Sequence, residues 1–344
     1  MKYLLIRICK LLRWVSLISI IVFFAVGCTA QPIANNAIAS SSPENPFETI
    51  ESELSGGFGF GVSYPEYGTN LIYNGVPVNL EYYINCDDNR GGSYGLILFV
   101  NGIPQPYSVE GSREAYIHIQ QVEEDKTKNV SVSFVPVTGE KGDNLCVRLA
   151  LMESPDIRPT KPNFVFGYTN SVIDIWPRFL QMESDVPVPN EIEVASGTAM
   201  REMTADEYES VFYLGSADDE VILPDVVTAY IRNADEPDLN YFDIANGSIS
   251  MKIQVFGGSP AEYYLIPYIN HEPLLTEEFP RRIVIEDGNL LFEETISVDF
   301  SSLDIRNYNL EEYNSLYYLL VPVEKDNGLM IVDSNDMVIV CSEE

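Results

Sequence analysis

The hexapeptide Phe99-Val100-Asn101-Gly102-Ile103-Pro104 and its echo Tyr268-Ile269-Asn270-His271-Glu272-Pro273 decide how this 344-residue chain folds. In each, an aromatic and a β-branched residue run into a two-residue step and the chain then returns towards a proline. Asn-Gly is a strong hairpin signal, because both residues tolerate the positive φ that a two-residue turn requires. The likeness extends backwards, since Gly92-Ser93-Tyr94 precedes the first string and Gly258-Ser259-Pro260 the second. From Asn101 to Asn270 the offset is 169 residues. A second echo sets Phe134-Val135-Pro136-Val137 and Asp143-Asn144-Leu145 against Leu320-Val321-Pro322-Val323 and Asp326-Asn327-Gly328-Leu329. The order is kept, but the offset from Val135 to Val321 is 186. Together the echoes predict tandem copies of one unit, the second carrying an insertion.

Outward from these strings the pattern is β throughout. Phe58, Phe60 and Val62 alternate with glycines, and Val78, Leu80, Tyr82 and Ile84 alternate with polar neighbours. Tyr94 to Val100 is a short continuous apolar run; Tyr116 to Gln120, Val130 to Val137 and Leu145 to Met152 supply further strands. Short strands separated by turn signals every 8–12 residues argue for a sandwich. The proline-rich stretch from Ser154-Pro155 to Pro162 reads as a domain boundary. Phe164 to Phe166, Val172 to Trp176 and Val221 to Ile231 then open the second unit. Thr204-Ala205-Asp206-Glu207 and Asn309-Leu310-Glu311-Glu312 read as capping boxes of short helices. The predicted fold class is all-β: two tandem immunoglobulin-like β-sandwich domains, 51–158 and 159–344, the second with an insertion.

Ahead of them, Trp14 to Cys28 is an uncharged apolar run behind Lys2, Arg7, Lys10 and Arg13. A basic region, a short apolar region and a small-residue site are the parts of a secretory signal. At about 15 residues the run is shorter than the roughly 20 that span a bilayer. Its end, Ala25-Val26-Gly27-Cys28, resembles the lipobox of bacterial lipoprotein precursors. The resemblance implies a signal peptide over 1–27 and diacylglyceryl modification of the Cys28 thiol. It places the mature protein on the extracytoplasmic face of the cell membrane, with the bilayer as a partner through acylated Cys28. An uncleaved anchor and a plain secretory signal are the other readings. Residues 28–50, rich in Ala, Ser, Asn and Pro, read as a flexible tether.

The formal net charge is −32. Removing residues 1–27 takes away four cations and no acid, leaving 16 Lys and Arg against 52 Asp and Glu, net −36. A nucleic-acid partner is excluded, because phosphate binding needs a basic footprint. Of five cysteines, Cys9 lies in the signal and Cys28 in the lipobox. Cys86 and Cys146 stand at strand ends in one half of the chain and form a candidate disulfide, with buried free thiols as the other reading. Cys341 is then left over.

No pattern specifies a catalytic, cofactor or metal site. Gly91-Gly92-Ser93-Tyr94-Gly95 matches the string of a hydrolase nucleophile elbow, but that device needs a strand before the serine and a helix after it. Here a polar turn precedes Ser93 and a β run follows. The chain has two histidines, His118 and His271, too few for a zinc site of ordinary ligand spacing. Four acidic clusters remain: Asp87-Asp88-Asn89, Asp218-Asp219-Glu220, Asp235-Glu236-Pro237-Asp238 and Asp333-Ser334-Asn335-Asp336. The first approaches a calcium loop but has Leu98 where the twelfth ligand belongs. Calcium held between loops stays a candidate cofactor, with solvated turns as the plain alternative. The doublets Tyr82-Tyr83, Tyr263-Tyr264 and Tyr317-Tyr318 each place one ring inward and one outward, where it can stack on a sugar or pack on a protein. The expected function is a membrane-anchored, non-catalytic binding, adhesion or scaffold module with an envelope protein or glycan as partner. The alternative is a secreted hydrolase or its carbohydrate-binding accessory.

Overall fold

Two kinds of strand build this protein, and their burial tells them apart. Val78–Cys86 buries Val78, Leu80, Tyr82, Ile84 and Cys86 in strict alternation, the period of a strand with one face on a core. Gly92–Val100 and Asn144–Glu153 are buried on both faces, which happens when a second layer covers the outer side. That second layer is the other half of the chain.

The computed structural model describes residues 58–62, 70–86, 91–166, 170–187, 195–197, 200–204, 227–244, 247–303, 305–323 and 329–341. Ser55–Glu344 forms one compact unit. The signal peptide, Cys28 and the tether lie outside the described residues, as do Asp87-Asp88-Asn89, Asp218-Asp219-Glu220 and most of the helix expected after Thr204.

The first sandwich contains β1 (Phe58–Val62), β2 (Leu71–Tyr73), β3 (Val78–Cys86), β4 (Gly92–Val100) and β5 (Ile103–Pro104). It continues with β6 (Ser108–Val109), β7 (Ile117–Val122), β8 (Lys126–Phe134), β9 (Asn144–Glu153) and β10 (Val172–Met182). One sheet has the order β1-β3-β8-β6; the other runs β2-β10-β9-β4, with β5 and β7 both on β4. β2 lies parallel to β10, and the remaining pairs are antiparallel.

The second sandwich comprises β11 (Ala195–Gly197), β12 (Met200–Arg201), β13 (Thr228–Asn233), β14 (Tyr241–Asp243), β15 (Ser248–Phe256) and β16 (Ala261–Ile269). After them come β17 (Glu272–Pro273), β18 (Arg281–Ile285), β19 (Leu291–Asp299), β20 (Tyr313–Pro322), β21 (Val332–Asp333) and β22 (Met337–Val340). Its sheets run β13-β15-β19-β12 and β14-β22-β20-β16-β18-β11, with β14 again parallel to its neighbour β22. The main strands correspond between the two halves. Each has a sheet of A-B-E type facing a sheet of G-F-C-C′ type, with a short strand parallel to G: the immunoglobulin-like arrangement. Each encloses its own core.

The pairings confirm one echo and correct the other. Ile97 and Ile266, Phe99 and Tyr268, Ala150 and Leu319, and Met152 and Val321 occupy equivalent ladder positions, all 169 residues apart. Val135 follows β8 whereas Val321 lies within β20, so the second echo joined strands that do not correspond, and the insertion inferred from its offset disappears. Val172–Met182, read as opening the second unit, pairs with β9 and completes the first sandwich. The proline-rich stretch Ser154–Pro162 is therefore a loop inside that sandwich. Pro177 falls at a shift in the β9–β10 register between Ile175 and Arg178, where a missing N–H is tolerated. The helix expected after Asn309 is also absent. Two single 3-10 turns, Phe300–Ser302 and Ile305–Tyr308, precede it, and β20 begins at Tyr313.

Candidate functional site: the seam between the sandwiches

The outer faces of the two G-F-C-C′ sheets pack on each other. Ile97, Phe99, Ala150 and Met152 meet Ile266, Tyr268, Leu319 and Val321 in a third apolar core, joined by Val172, Tyr317 and Ile331. Because these are the residues related by the 169-residue repeat, the contact has the self-complementary form of a two-fold dimer within one chain. Tyr268 and Tyr317 stack with ring centroids 5.4 Å apart and planes 3° from parallel. In the doublets Tyr263-Tyr264 and Tyr317-Tyr318 the outward rings, Tyr264 and Tyr317, are thus used up on a protein surface, and that surface is the chain's own other half.

Polar groups pin the seam. Arg148 on β9 donates to Asp174 on β10 at 3.0 Å and to the Leu329 carbonyl, also at 3.0 Å. The same Asp174 oxygen accepts the Ile331 N–H at 2.9 Å. An ion pair of the first sandwich thus holds the 329–331 segment of the second. Its side chains are 2% and 4% exposed, so each charge depends on the other for compensation. On the opposite side of the sequence repeat, His271 is buried with φ +72°. Its Nε2–H donates to the Pro155 carbonyl at 2.7 Å, and the Tyr317 hydroxyl, 3.1 Å away, donates to Nδ1. Burial pushes the His271 pKa down to about 4 against the Pro155 bond, which raises it, and the nearby Arg158 charge lowers it further.

At one end of the seam the loop carrying Phe164, Val165 and Phe166 and the segment Asp333–Met337 border a cleft of about 350 Å³, completed by Ser171 and Asn240. Phe164 and Phe166 meet edge to face at 5.0 Å, and Val165 at the rim is 83% exposed. Two hydrogen bonds stitch the sandwiches together here: Val172 N–H to Asp333 at 3.2 Å, and the Asn170 amide to Asp336 at 3.1 Å. Burial raises the pKa of Asp333 against the Val172 bond. Burial pushes Asp336 up to about 7; the Asn170 bond lowers it, and the Asp333 charge adds to the rise. Among the described residues neither carboxylate has an ion-pair partner. Asn170 is 2% exposed, and among the described residues its Oδ1 has no hydrogen-bond partner.

The other sequence candidates fall elsewhere. Neither Cys86 nor Cys146 is in a disulfide. Cys86 points into the first core, whereas the inward residues of β9 are Leu145, Val147, Leu149 and Leu151, which turns Cys146 to the opposite face. The two also stand at opposite ends: Cys86 leads into the start of β4, which pairs with the end of β9 at Tyr94 and Glu153. At about 3.3 Å per residue the separation along β9 is roughly 20 Å, far beyond disulfide reach. Ser93 lies in β4 and donates to Asp156, with strand on its C-terminal side, so the elbow geometry is missing. His118 accepts no catalytic partner; its Nε2 bonds the Tyr107 carbonyl at 2.8 Å. Asp235-Glu236-Pro237-Asp238 is an exposed turn whose first two N–H groups are held by Asn233. Among the described residues no three His, Cys, Asp or Glu side chains converge as metal ligands. Among the described residues, Asp333-Ser334-Asn335-Asp336 lines the cleft at the seam. Arg148, Asp174 and Asn170 escaped sequence reasoning, although a single charge inside each of the apolar runs Leu145–Met152 and Val172–Trp176 was the available signal.

No protein-family profile and no curated protein sequence matches the chain. Among solved structures, the periplasmic chaperone SfaE is 10% identical, with a TM-score of 0.22, covering 83% of this chain and 100% of its own. The Salmonella enterica SafA pilin–SafB chaperone complex gives 10% identity and a TM-score of 0.21 over 83% of this chain and 96% of that one. A bacterial ice-binding adhesin gives 11% and 0.17 over 78% and 58%. The fold assignment rests on the strand pairing described above.

Proposed function

We propose that the protein is a lipid-anchored, extracytoplasmic binding module without catalytic activity, held to the membrane through acylated Cys28. The observation that carries this reading is the seam. Each sandwich commits its G-F-C-C′ face to the other, so Ser55–Glu344 forms one compact unit with a cleft at the junction, a common location for ligand sites. The lipobox-like leader supplies the address, and the net charge of −32 favours soluble, self-repelling display. An envelope protein or a glycan is the expected partner class.

Two measurements test it. Cys28→Ala is expected to release the protein from the membrane fraction or to leave the precursor unprocessed; normal maturation with unchanged retention overturns the anchoring. The full chain in mild detergent is expected to retain an envelope component in a pull-down, or to bind one class on a glycan array. Turnover of a glycan substrate, instead of retention, overturns the non-catalytic reading.

A further inference from the structure

We propose that the open edge of β7 receives an extended segment of a protein partner, added as a parallel strand centred on Ile119, with apolar side chains over Ile119 and Lys or Arg at its C-terminal end. The inference deepens the binding-module reading and rests on it. The sequence repeat shows what such an edge accommodates. His118, Ile119 and Gln120 on β7 pair with Leu96, Gly95 and Tyr94. Arg281, Arg282 and Ile283 on β18 pair with Leu265, Tyr264 and Tyr263, the residues 169 positions further on. In the second sandwich β11 covers that edge of β18 as a parallel strand, with Ser196 opposite Arg282. In the first, no described strand pairs with the outer side of β7.

The backbone of β7 is oriented for the same pairing. The Tyr107 hydroxyl donates to the Leu96 carbonyl at 2.6 Å and accepts the His118 N–H at 3.2 Å, so His118 turns its main-chain groups towards β4. Successive residues of a strand alternate in this respect, which directs the N–H and C=O of Ile119 outward. Lys128, donating to the Gln121 carbonyl at 3.4 Å, marks the end of the open stretch. The strand also lacks ordinary edge protection. Ile117-His118-Ile119-Gln120-Gln121-Val122 contains neither a charge nor a proline, common devices against unwanted pairing, and Ile119 is 43% exposed. Ile117, on the same face, packs against the seam core, so an apolar residue opposite Ile119 extends that surface. Charge selects the occupant. Exposed Glu123, Glu124 and Asp125 follow directly on β7, ahead of a single exposed cation, Lys126. They lie where a parallel partner strand ends, and Lys or Arg there complements them. A second copy is the poorer match, because two chains of net charge −32 repel and like edges related by a two-fold pair antiparallel.

The test uses the full chain in mild detergent and labelled octapeptides that alternate threonine with isoleucine, valine or leucine and end in two lysines. Comparison peptides end in two glutamates, carry the same residues in reverse order, or are N-methylated on alternate residues in either phase. The lysine peptides are expected to bind saturably by fluorescence anisotropy and to slow exchange of the Ile119 amide at least tenfold, with the Ile231 amide unchanged. Reversal and terminal glutamates are each expected to weaken binding at least tenfold, and N-methylation in one of the two phases to abolish it. Ile119→Pro removes an N–H that β4 does not use and is expected to abolish binding without moving the urea midpoint. Ile119→Thr keeps the N–H and suits a strand; it is expected to weaken binding several-fold and keeps the test decisive if the proline variant unfolds. No binding of any lysine peptide, equal binding of the reversed peptides, or undiminished binding by folded Ile119→Pro overturns the inference. So does protection of the Ile119 amide in the chain alone: independent of concentration, it shows an edge already covered; rising with concentration, it shows a second copy. If the peptides fail while the envelope pull-down still retains a component, the binding-module reading stands and this assignment alone falls.

Discussion

Gly102 and His271 hold the same place in two copies of one hairpin, with φ of +81° and +72°, yet they meet the facing sandwich in opposite ways. At Gly102 a Cβ would come within 2.4 Å of the Tyr264 ring. The residue equivalent to Tyr264, 169 positions earlier, is Gly95, where a Cβ would come within 2.3 Å of Ile117 and 3.2 Å of Pro155, both in its own sandwich. His271, the counterpart of Gly102, instead bonds the Pro155 carbonyl of the first sandwich. The repeat-related turns therefore differ: Gly102 leaves room for the Tyr264 ring of the other sandwich, whereas His271 fills its place with an imidazole bonded across the seam. His271→Gly tests this. Relief of a left-handed non-glycine residue returns roughly 1 kcal/mol. Leaving the Pro155 carbonyl and the Tyr317 hydroxyl without His271 costs about 1–3 kcal/mol for each buried group. A net loss of about 2 kcal/mol in denaturant unfolding is expected; a gain in stability would show the ring to be dispensable.

The pH dependence of the seam has two opposed parts. His271 titrates at about 4 when folded, below its ordinary 6.5. Its contribution is complete above pH 6.5 and is lost as pH falls towards 4, about 3 kcal/mol in all. Asp336 titrates at about 7 when folded, above the ordinary carboxyl value. Its contribution is complete below pH 4 and is lost as pH rises through 7. Single variants separate the two. Asp336→Asn is expected to exceed the wild type in urea midpoint at pH 8 and to match it at pH 4. His271→Gly is expected to lose less stability than the wild type between pH 6.5 and 4. Parallel profiles for all three chains would refute both assignments.

Arg148 and Asp174 form a buried pair that also serves Leu329 and Ile331. Removing one charge leaves the other uncompensated, so Asp174→Ala alone is expected to cost about 3–5 kcal/mol. The double change Arg148→Met with Asp174→Leu replaces the pair by apolar volume and is expected to cost much less than the sum. A double-mutant cycle by chemical denaturation reads the coupling; additive losses would place the charges outside each other's reach.

The three cysteines of the described residues, Cys86, Cys146 and Cys341, form no disulfide. Reductant is therefore expected to leave the unfolding midpoint unchanged. Cys86 and Cys146, both buried, are expected to react with a thiol reagent only after denaturation. A midpoint that drops with reductant would restore a bridge.

The sandwich itself was legible in the sequence because alternation such as Val78-Leu80-Tyr82-Ile84 has one structural meaning. So was the hairpin repeat, since the turn at Asn101-Gly102 demands particular residues and Asn270-His271 keeps the first of them. The seam was not legible. A strand buried on both faces, such as Gly92–Val100, has the same continuous apolar pattern whatever covers its second side, and no local signal says that the cover is another strand of the chain. Val-Pro-Val misled because it is a local string without a fixed place in the ladder. Ser154–Pro162 misled because proline marks loops and linkers alike. Asp333-Ser334-Asn335-Asp336 was visible as an acidic cluster, but its partner Asn170 lies 166 residues away from Asp336, a pairing only the assembled seam creates.

Within that cluster Asn335 has a separate structural task. It accepts the Ile231 N–H at 2.7 Å through Oδ1 and donates to the Ile231 carbonyl at 3.1 Å through Nδ2, so one side chain acts as a strand neighbour for β13. β13 is the outer strand of its sheet, and an open edge offers unpaired N–H and C=O groups to other chains. Asn335→Ala removes both bonds at once, while Ile231 keeps its ladder partner Ile253 on β15. The expected cost is about 1–2 kcal/mol. The sharper readout is hydrogen exchange: the Ile231 amide is expected to exchange at least tenfold faster, with Ile253 unchanged, and the variant is expected to self-associate at high concentration through the freed edge. Equal protection at Ile231 in both chains would show that the edge is covered by something other than Asn335.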